Sequence, residues 1–387
     1  MLLALFAIVV LALMGTGLLR LGLNSRITAI RAADEIKARC AADAGLAKAL
    51  YEMNQKLQVK PWSDTSLPAA TDLTLPNCDA TFTYTVSGNL ASGYVIECTG
   101  RSNQAQRIVR CTLSLQGPFD TAIFAKDTIS LKEGTVVDWY NYYDDDRNLQ
   151  VGTNSSLADA IDLKNGVTIR GDVVVGVDGE PDVVIKMHSG TTITGDTYAL
   201  TEEIPLPPIT VPVWLAGLPS EGEIKNSTTL TTSGKYSKID LGNEEKLTID
   251  GPVKIYVTGK VELGNSAEIQ IVGTNPNASL TLYLGGDFEG KNGSNINNES
   301  EIAKKLRIYG LNTCDKMDFK NSSEFYGVIY APNTHVEFDN SAQAYGAVVA
   351  EKFEQKNSAT VNYDASLRDV TVNDDMVRFV VKNWRDE

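Results

Sequence analysis

The chain has 387 residues, 43% apolar and 22% charged, with 31 Gly, 13 Pro and 5 Cys, which excludes a disordered, collagenous or disulfide-packed miniprotein. Its length exceeds the size at which one core stops growing, so at least two structural units are expected. The net charge of −14 repels nucleic acid and removes DNA and RNA as partners. The balance is uneven: the first 60 residues hold eight basic and four acidic side chains, net +4, leaving −18 for the rest.

Residues 1–19 carry no charge, and eleven of them are Leu, Ile, Val or Phe. As a helix they would span roughly 29 Å, about one hydrocarbon core. Three readings compete. A secretory signal peptide would show a basic start and a small-residue cleavage site, whereas this run begins directly in apolar sequence. A signal anchor carries cations on its cytoplasmic side, yet Arg20, Arg26 and Arg31 all lie beyond the run. The third reading is an apolar mature N-terminus from which a basic leader has been removed.

The next forty residues favour the third. No proline occurs from Asn24 to Gln58, and apolar residues recur at Ile27, Ile30, Ile36, Cys40, Ala44, Ala47, Leu50 and Leu57, mostly three or four apart. The helix is therefore expected to continue to residue 60, where Pro61 ends it. A helix of that length, roughly 86 Å, is far longer than a bilayer needs. Its front half, 1–23, is expected to lie in a membrane or a filament core.

The leaderless apolar start, the long basic and alanine-rich helix, and the run from Ala41 through Ala42, Asp43, Ala44 and Gly45 to Leu46 resemble the PilX-type N-terminal segment of type IV pilin-like proteins. The resemblance covers about 60 residues and implies a leader cut after glycine, N-methylation of Met1, storage in the inner membrane, and assembly with copies of itself or other pilins by an external motor. The implied assembly helix presents Met1, Leu2, Leu3, Leu5, Phe6, Ile8, Val9, Val10, Leu11, Leu13, Gly15, Gly17, Leu18 and Leu19. Leu5 departs from the family pattern, in which major subunits carry Glu at that place, and points toward a minor subunit. Gly15 and Gly17 are poor helix residues, placed either for local melting or for close helix packing.

Residues 81–86, 93–99 and 106–115 are β-branched, partly alternating runs separated by polar turns, read as an antiparallel meander within a 61–118 module that packs on the helix. Cys78, Cys98 and Cys111 are candidate disulfide partners, paired as 98–111 or 78–98. No haem or zinc spacing occurs.

After residue 119 the chain repeats itself. Residues 163–172 match 187–196, 241–251 match 263–273, and 319–331 match 338–350, offsets of 24, 22 and 19. Coils of such length with Asn/Gly corners imply a right-handed parallel β-helix over 119–365, with a β-sandwich as the alternative. Residues 202–220 hold five prolines and are read as an excursion between two stacks of coils. Residues 366–387 are read as a cap. The coils 122–125, 137–140 and the paired Tyr-Gly coils also look like a β-helical domain of unassigned function that is found after PilX-type segments.

Catalytic candidates are thin. His188 and His335 are read as surface residues; Asp172 and Asp196 occupy equivalent coil positions, either a carboxylate pair suited to Ca²⁺ or two turn residues. Residues 142–146, two tyrosines and three aspartates, read as an exposed loop, with Ca²⁺ or sugar binding as the alternative. Glycosylation-type triplets start at Asn154, Asn226, Asn277, Asn292, Asn298 and Asn321. The expectation is an α+β pilin-like module followed by a mostly β domain: a structural subunit of an extracellular filament, without catalytic residues, metal or cofactor. A minor or tip adhesin and an anchored β-helical carbohydrate enzyme are the alternatives.

Overall fold

The computed structural model describes residues 2–141, 148–320, 324–339, 343–356 and 359–386, without the side chains of residues 2–5, 7 and 9. The chain forms two units: Met1–Gly117 with Val370–Glu387, and Pro118–Asp369.

In the first unit, α1 runs unbroken from Leu2 to Leu57, about 84 Å. Its last turn tightens, with the Gln58 and Val59 N–H groups donating to the Gln55 and Lys56 carbonyls at 3.2 and 3.1 Å. Only the second half of α1 is packed. Ala38, Ala41, Ala42, Ala49, Met53 and Leu57 are buried against an antiparallel sheet of β1 (Ala69–Thr74), β2 (Thr81–Asn89), β3 (Gly93–Ser102) and β4 (Ala105–Gln116). The alanine run exists because backbone approaches backbone here. A Cβ on Gly100 would meet the Ala38 carbonyl oxygen at 2.0 Å, and one on Gly45 would meet the Cys98 sulfur at 2.2 Å.

The C-terminal segment does not cap the repeats, as its apolar residues led us to expect. Strand Arg378–Asp386 pairs antiparallel with β4, Phe379 opposite Leu115, and satisfies an edge that would otherwise present unpaired backbone groups. Asn54 on α1 clamps it: its Nδ2 donates to the Phe379 carbonyl at 3.1 Å, and the Phe379 N–H donates to its Oδ1 at 2.7 Å. Phe379 packs against Trp62 and Tyr94 at ring separations of 5.5 and 5.3 Å.

Among the described residues, no helix is long and apolar enough to cross a membrane. Seven of the first nine side chains of the apolar run lie outside the description, and Arg20, Asn24 and Arg26 interrupt the helix beyond it with polar groups.

The second unit is a β-helix-like solenoid of parallel strands. Its stacking order is not its chain order. Coils built from 223–236, 238–257, 261–284, 288–310, 316–330 and 335–349 stack successively, the long strands Glu324–Phe338 and Gln343–Gln355 each contributing to more than one of them; strand Ile123–Leu131 docks on Gln343–Gln355, Phe124 opposite Val349. The coils of 150–169 and 172–199 complete the stack. The first coil of the unit thus sits in the interior of the stack.

Residues 200–212 solve the connection this order creates. They are not an excursion between two stacks but a strap returning along one side of a single stack. One column of that side reads Lys235, Tyr256, Tyr283, Tyr309, Tyr330, Val349, Phe124, Gly152, Val174 and Tyr198. These positions alternate with the interior Leu282, Ile308 and Ile329, yet Tyr283, Tyr309, Tyr330, Val349, Phe124 and Val174 are themselves buried. Nine strand spacings make about 43 Å, and thirteen residues of polyproline-type backbone make about 40 Å. The Tyr330 hydroxyl donates to the Pro207 carbonyl at 2.9 Å, and Lys235 Nζ to that of Ala216 at 2.9 Å. Proline suits a strap that has no strand partner, since it removes N–H donors that would need one.

Asn154 holds the strap twice, donating to the Ile204 carbonyl at 2.8 Å and accepting from its N–H at 3.0 Å. Asn154→Ala is expected to lower unfolding stability by about 1–3 kcal/mol and to speed cleavage within residues 201–210. Urea denaturation and limited proteolysis check this; unchanged values would show that the strap needs no such clamp.

Candidate functional site

The N-terminal half of α1 is the most unusual surface of the molecule. Phe6 is 70% exposed, Leu11 68% and Leu18 70%, and Ile8, Leu13, Met14, Leu19, Leu21 and Leu23 are likewise exposed. Of the expected assembly residues, Phe6, Ile8, Val10, Leu11, Leu13, Leu18 and Leu19 all lie on this surface; Met1, Leu2, Leu3, Leu5 and Val9 fall outside the described side chains. Gly15 and Gly17 have no atom within 4 Å of where a Cβ would stand, and both are helical. Isolated apolar residues on a surface are ordinary, whereas a contiguous set of this size marks an interaction site.

The cysteines do not form the expected disulfide. Cys78, Cys98 and Cys111 are free, as are Cys40 and Cys314. The register explains it: Cys98 stands opposite Val109, and Cys111 opposite Ile96, so the two are diagonal neighbours, about 7–8 Å apart in such sheets and beyond disulfide reach. Burial pushes the Cys98 and Cys314 thiols up to about 12, which leaves them unreactive.

The solenoid carries a charged ladder that the sequence reading missed. Asp240, Glu262, Glu289, Asp318, Glu337 and Glu354 occupy one column on six successive rungs. Rungs are about 4.8 Å apart, close enough for like charges to repel strongly. Cations two residues away on either side offset this. Lys238 bridges Asp240 and Glu262, Lys316 lies 3.4 Å from Asp318 and 3.1 Å from Glu337, and Lys320 lies 3.3 Å from Asp318. Lys356 bonds Glu337 and Asp339, while Lys132 lies 3.0 Å from Glu354. The signal was a Lys-x-Asp/Glu triplet starting at Lys238, Lys260, Lys316 and Lys352.

Two groups on this ladder bring carboxylates close enough to meet a cation: Asp318, Glu337 and Asp339, and His335, Glu337 and Glu354. Lysines already bonded into the same carboxylates supply the counter-charge, so the ladder is a device of the fold. His188 Nε2 lies 3.0 Å from Asp162, with Lys164 at 3.4 Å, and His335 lies 3.9 Å from Glu354. Asp172, the first residue of strand Asp172–Val175, accepts from Asn148 at 3.1 Å and from the Asp196 N–H at 2.9 Å, so its carboxylate is tied into the fold. Residues 142–146 lie outside the described residues. Asn298, buried, donates to the carbonyls of Ile302 and Tyr326, so neither it nor Asn154 presents a free amide.

Burial pushes Glu337 up, but hydrogen bonds from Lys356 and Lys316 win and hold it at about 2. A value below that of the unfolded chain stabilises above pH ~4.5, and the contribution is lost as pH falls toward 2. Denaturation midpoints are expected to fall between pH 5 and 2, less steeply in Glu337→Gln, which at pH 7 costs on the order of 1–3 kcal/mol because the lysines are partly solvated. Parallel pH profiles for both chains would remove Glu337 from this role.

A family model described as a domain of unknown function, DUF7305, matches residues 216–370. No curated protein matches the chain. Among solved structures, the competence-associated pilin ComZ from Thermus thermophilus is 11% identical, over 92% of this chain and 97% of its own, with a TM-score of 0.24. The glycosylated ice-binding protein LeIBP from an Arctic yeast is 16% identical over 63% of this chain and 90% of its own, with a TM-score of 0.30. The DUF3494 domain of an ice-binding protein from Shewanella frigidimarina is 17% identical over 63% and 94%, at 0.25. Scores of this size do not equate the folds, and the function rests on the geometry of α1 and the solenoid.

Proposed function

We propose that the chain is a structural subunit of an extracellular filament of the type IV pilin kind, assembling through the apolar half of α1 and carrying an acidic solenoid. One observation carries the reading: a continuous helix whose second half is buried on a sheet of its own unit while its first half exposes large apolar side chains all along its length. Burying such side chains among neighbours is worth about 1.5–3 kcal/mol each, enough for nine of them to exceed the roughly 4–15 kcal/mol cost of association. The charged ladder supports the same reading, since its groups are spent on one another rather than gathered for a reaction. Leu5 favours a minor or tip subunit as the second reading, with the solenoid as its binding part.

Leu18→Glu is expected to abolish pelletable polymer in sheared surface fractions while the solenoid remains folded by circular dichroism. Undiminished polymer would remove α1 from assembly. Mass spectrometry of the mature chain is expected to find N-methylated Met1; a mature chain whose N-terminus is an unmodified residue upstream of Met1 contradicts the processing route.

A further inference from the structure

The packed half of α1 has a second face. Opposite the sheet, Ile36, Cys40, Asp43, Ala47 and Tyr51 form one exposed stripe with spacings of 4, 3, 4 and 4 residues, Ile36 being 65% and Tyr51 62% exposed. A solvated helix would place polar side chains there. Asp43 is the stripe's only charge. The described ion pairs of α1 engage Glu35, Lys37, Arg39, Lys48 and Glu52, and none engages Asp43. The exposed half, residues 2–33, holds Arg20, Arg26 and Arg31 and no acidic residue, and none of the three has an ion pair among the described residues.

We propose that the stripe is the docking surface for the apolar half of α1 of a second copy, with Arg26 of the docked helix meeting Asp43. This rests on the filament reading and adds a register to it. The series Leu19, Leu23, Arg26, Ile30 and Asp34 repeats the 4, 3, 4, 4 spacing of the stripe. A parallel helix shifted by 17 residues, about 25 Å, sets Leu19 on Ile36, Leu23 on Cys40 and Ile30 on Ala47, large on small at the last two. The other arginines fit less well. Arg20 on Asp43 brings Gly17, Asn24 and Thr28 to the stripe, and Arg31 brings Asn24, Thr28, Glu35 and Arg39. Because the docked and receiving segments differ, the contact is head-to-tail and propagates as an open filament instead of closing as a dimer.

The test uses the full chain and sheared, pelleted polymer. Arg26→Asp and Asp43→Arg, each placing like charges in contact, are expected to lower polymer yield at least about tenfold, and the double variant to restore it. In parallel, Leu23→Cys with native Cys40 is expected to give thiol-sensitive cross-linked ladders from oxidised polymer, lost when Cys40→Ser is added. Single variants that polymerise normally, or a double variant no better than either, overturn the pairing. Cross-linking through Gly17→Cys or Thr28→Cys in place of Leu23→Cys overturns the register while leaving assembly through α1 intact. Absence of polymer from the unsubstituted chain defeats the filament reading itself.

Discussion

A sheet of five short strands covers only the second half of a helix of about 84 Å, and the rest of this molecule's behaviour stems from that mismatch. The covered half is specialised for intimacy: Ala38, Ala42 and Gly45 meet Gly100 and Cys98 at separations that leave no space for another methyl group. The uncovered half keeps the apolar character of a core without a core to enter. A helix of this composition gains nothing from water and stays exposed only until another apolar surface is offered.

The solenoid answers a different constraint. A stack of similar coils places identical positions about 4.8 Å apart, so whatever stands at one position is repeated along the face. Where the repeated residue is aromatic, the column from Tyr256 to Tyr330 becomes a seam under the strap. Where it is acidic, the column from Asp240 to Glu354 needs lysines beside it, and seven of the unit's described ion pairs join a lysine to it. The order of the stack adds a closure, because strand Ile123–Leu131 is covered by Gln343–Gln355 and the unit's ends in sequence meet in its interior.

Local features were legible in the sequence and long-range ones were not. The absence of proline from Asn24 to Gln58 defined the helix, three alternating runs defined β2 to β4, and the offsets of 24, 22 and 19 defined the coils. Each depends on residues near one another in the chain. Pairing of Arg378–Asp386 with β4 was invisible because the alternation at Val377 and Phe379 suits any sheet with a free edge. The disulfide expectation failed on register: with Cys98 opposite Val109, the turn would have to be two residues longer to set it opposite Cys111. Proline in residues 205–212 announced extended backbone but not its destination, since the distance it must cover is set by the number of stacked coils.

Residue-resolved amide hydrogen exchange, on the full chain as monomer and as polymer, tests the transfer of the exposed half most directly. The expected result is rapid exchange of residues 6–33 in the monomer and strong protection in the polymer, with residues 38–57 protected in both. Equal exchange of residues 6–33 in the two states would contradict burial of this half among neighbouring copies.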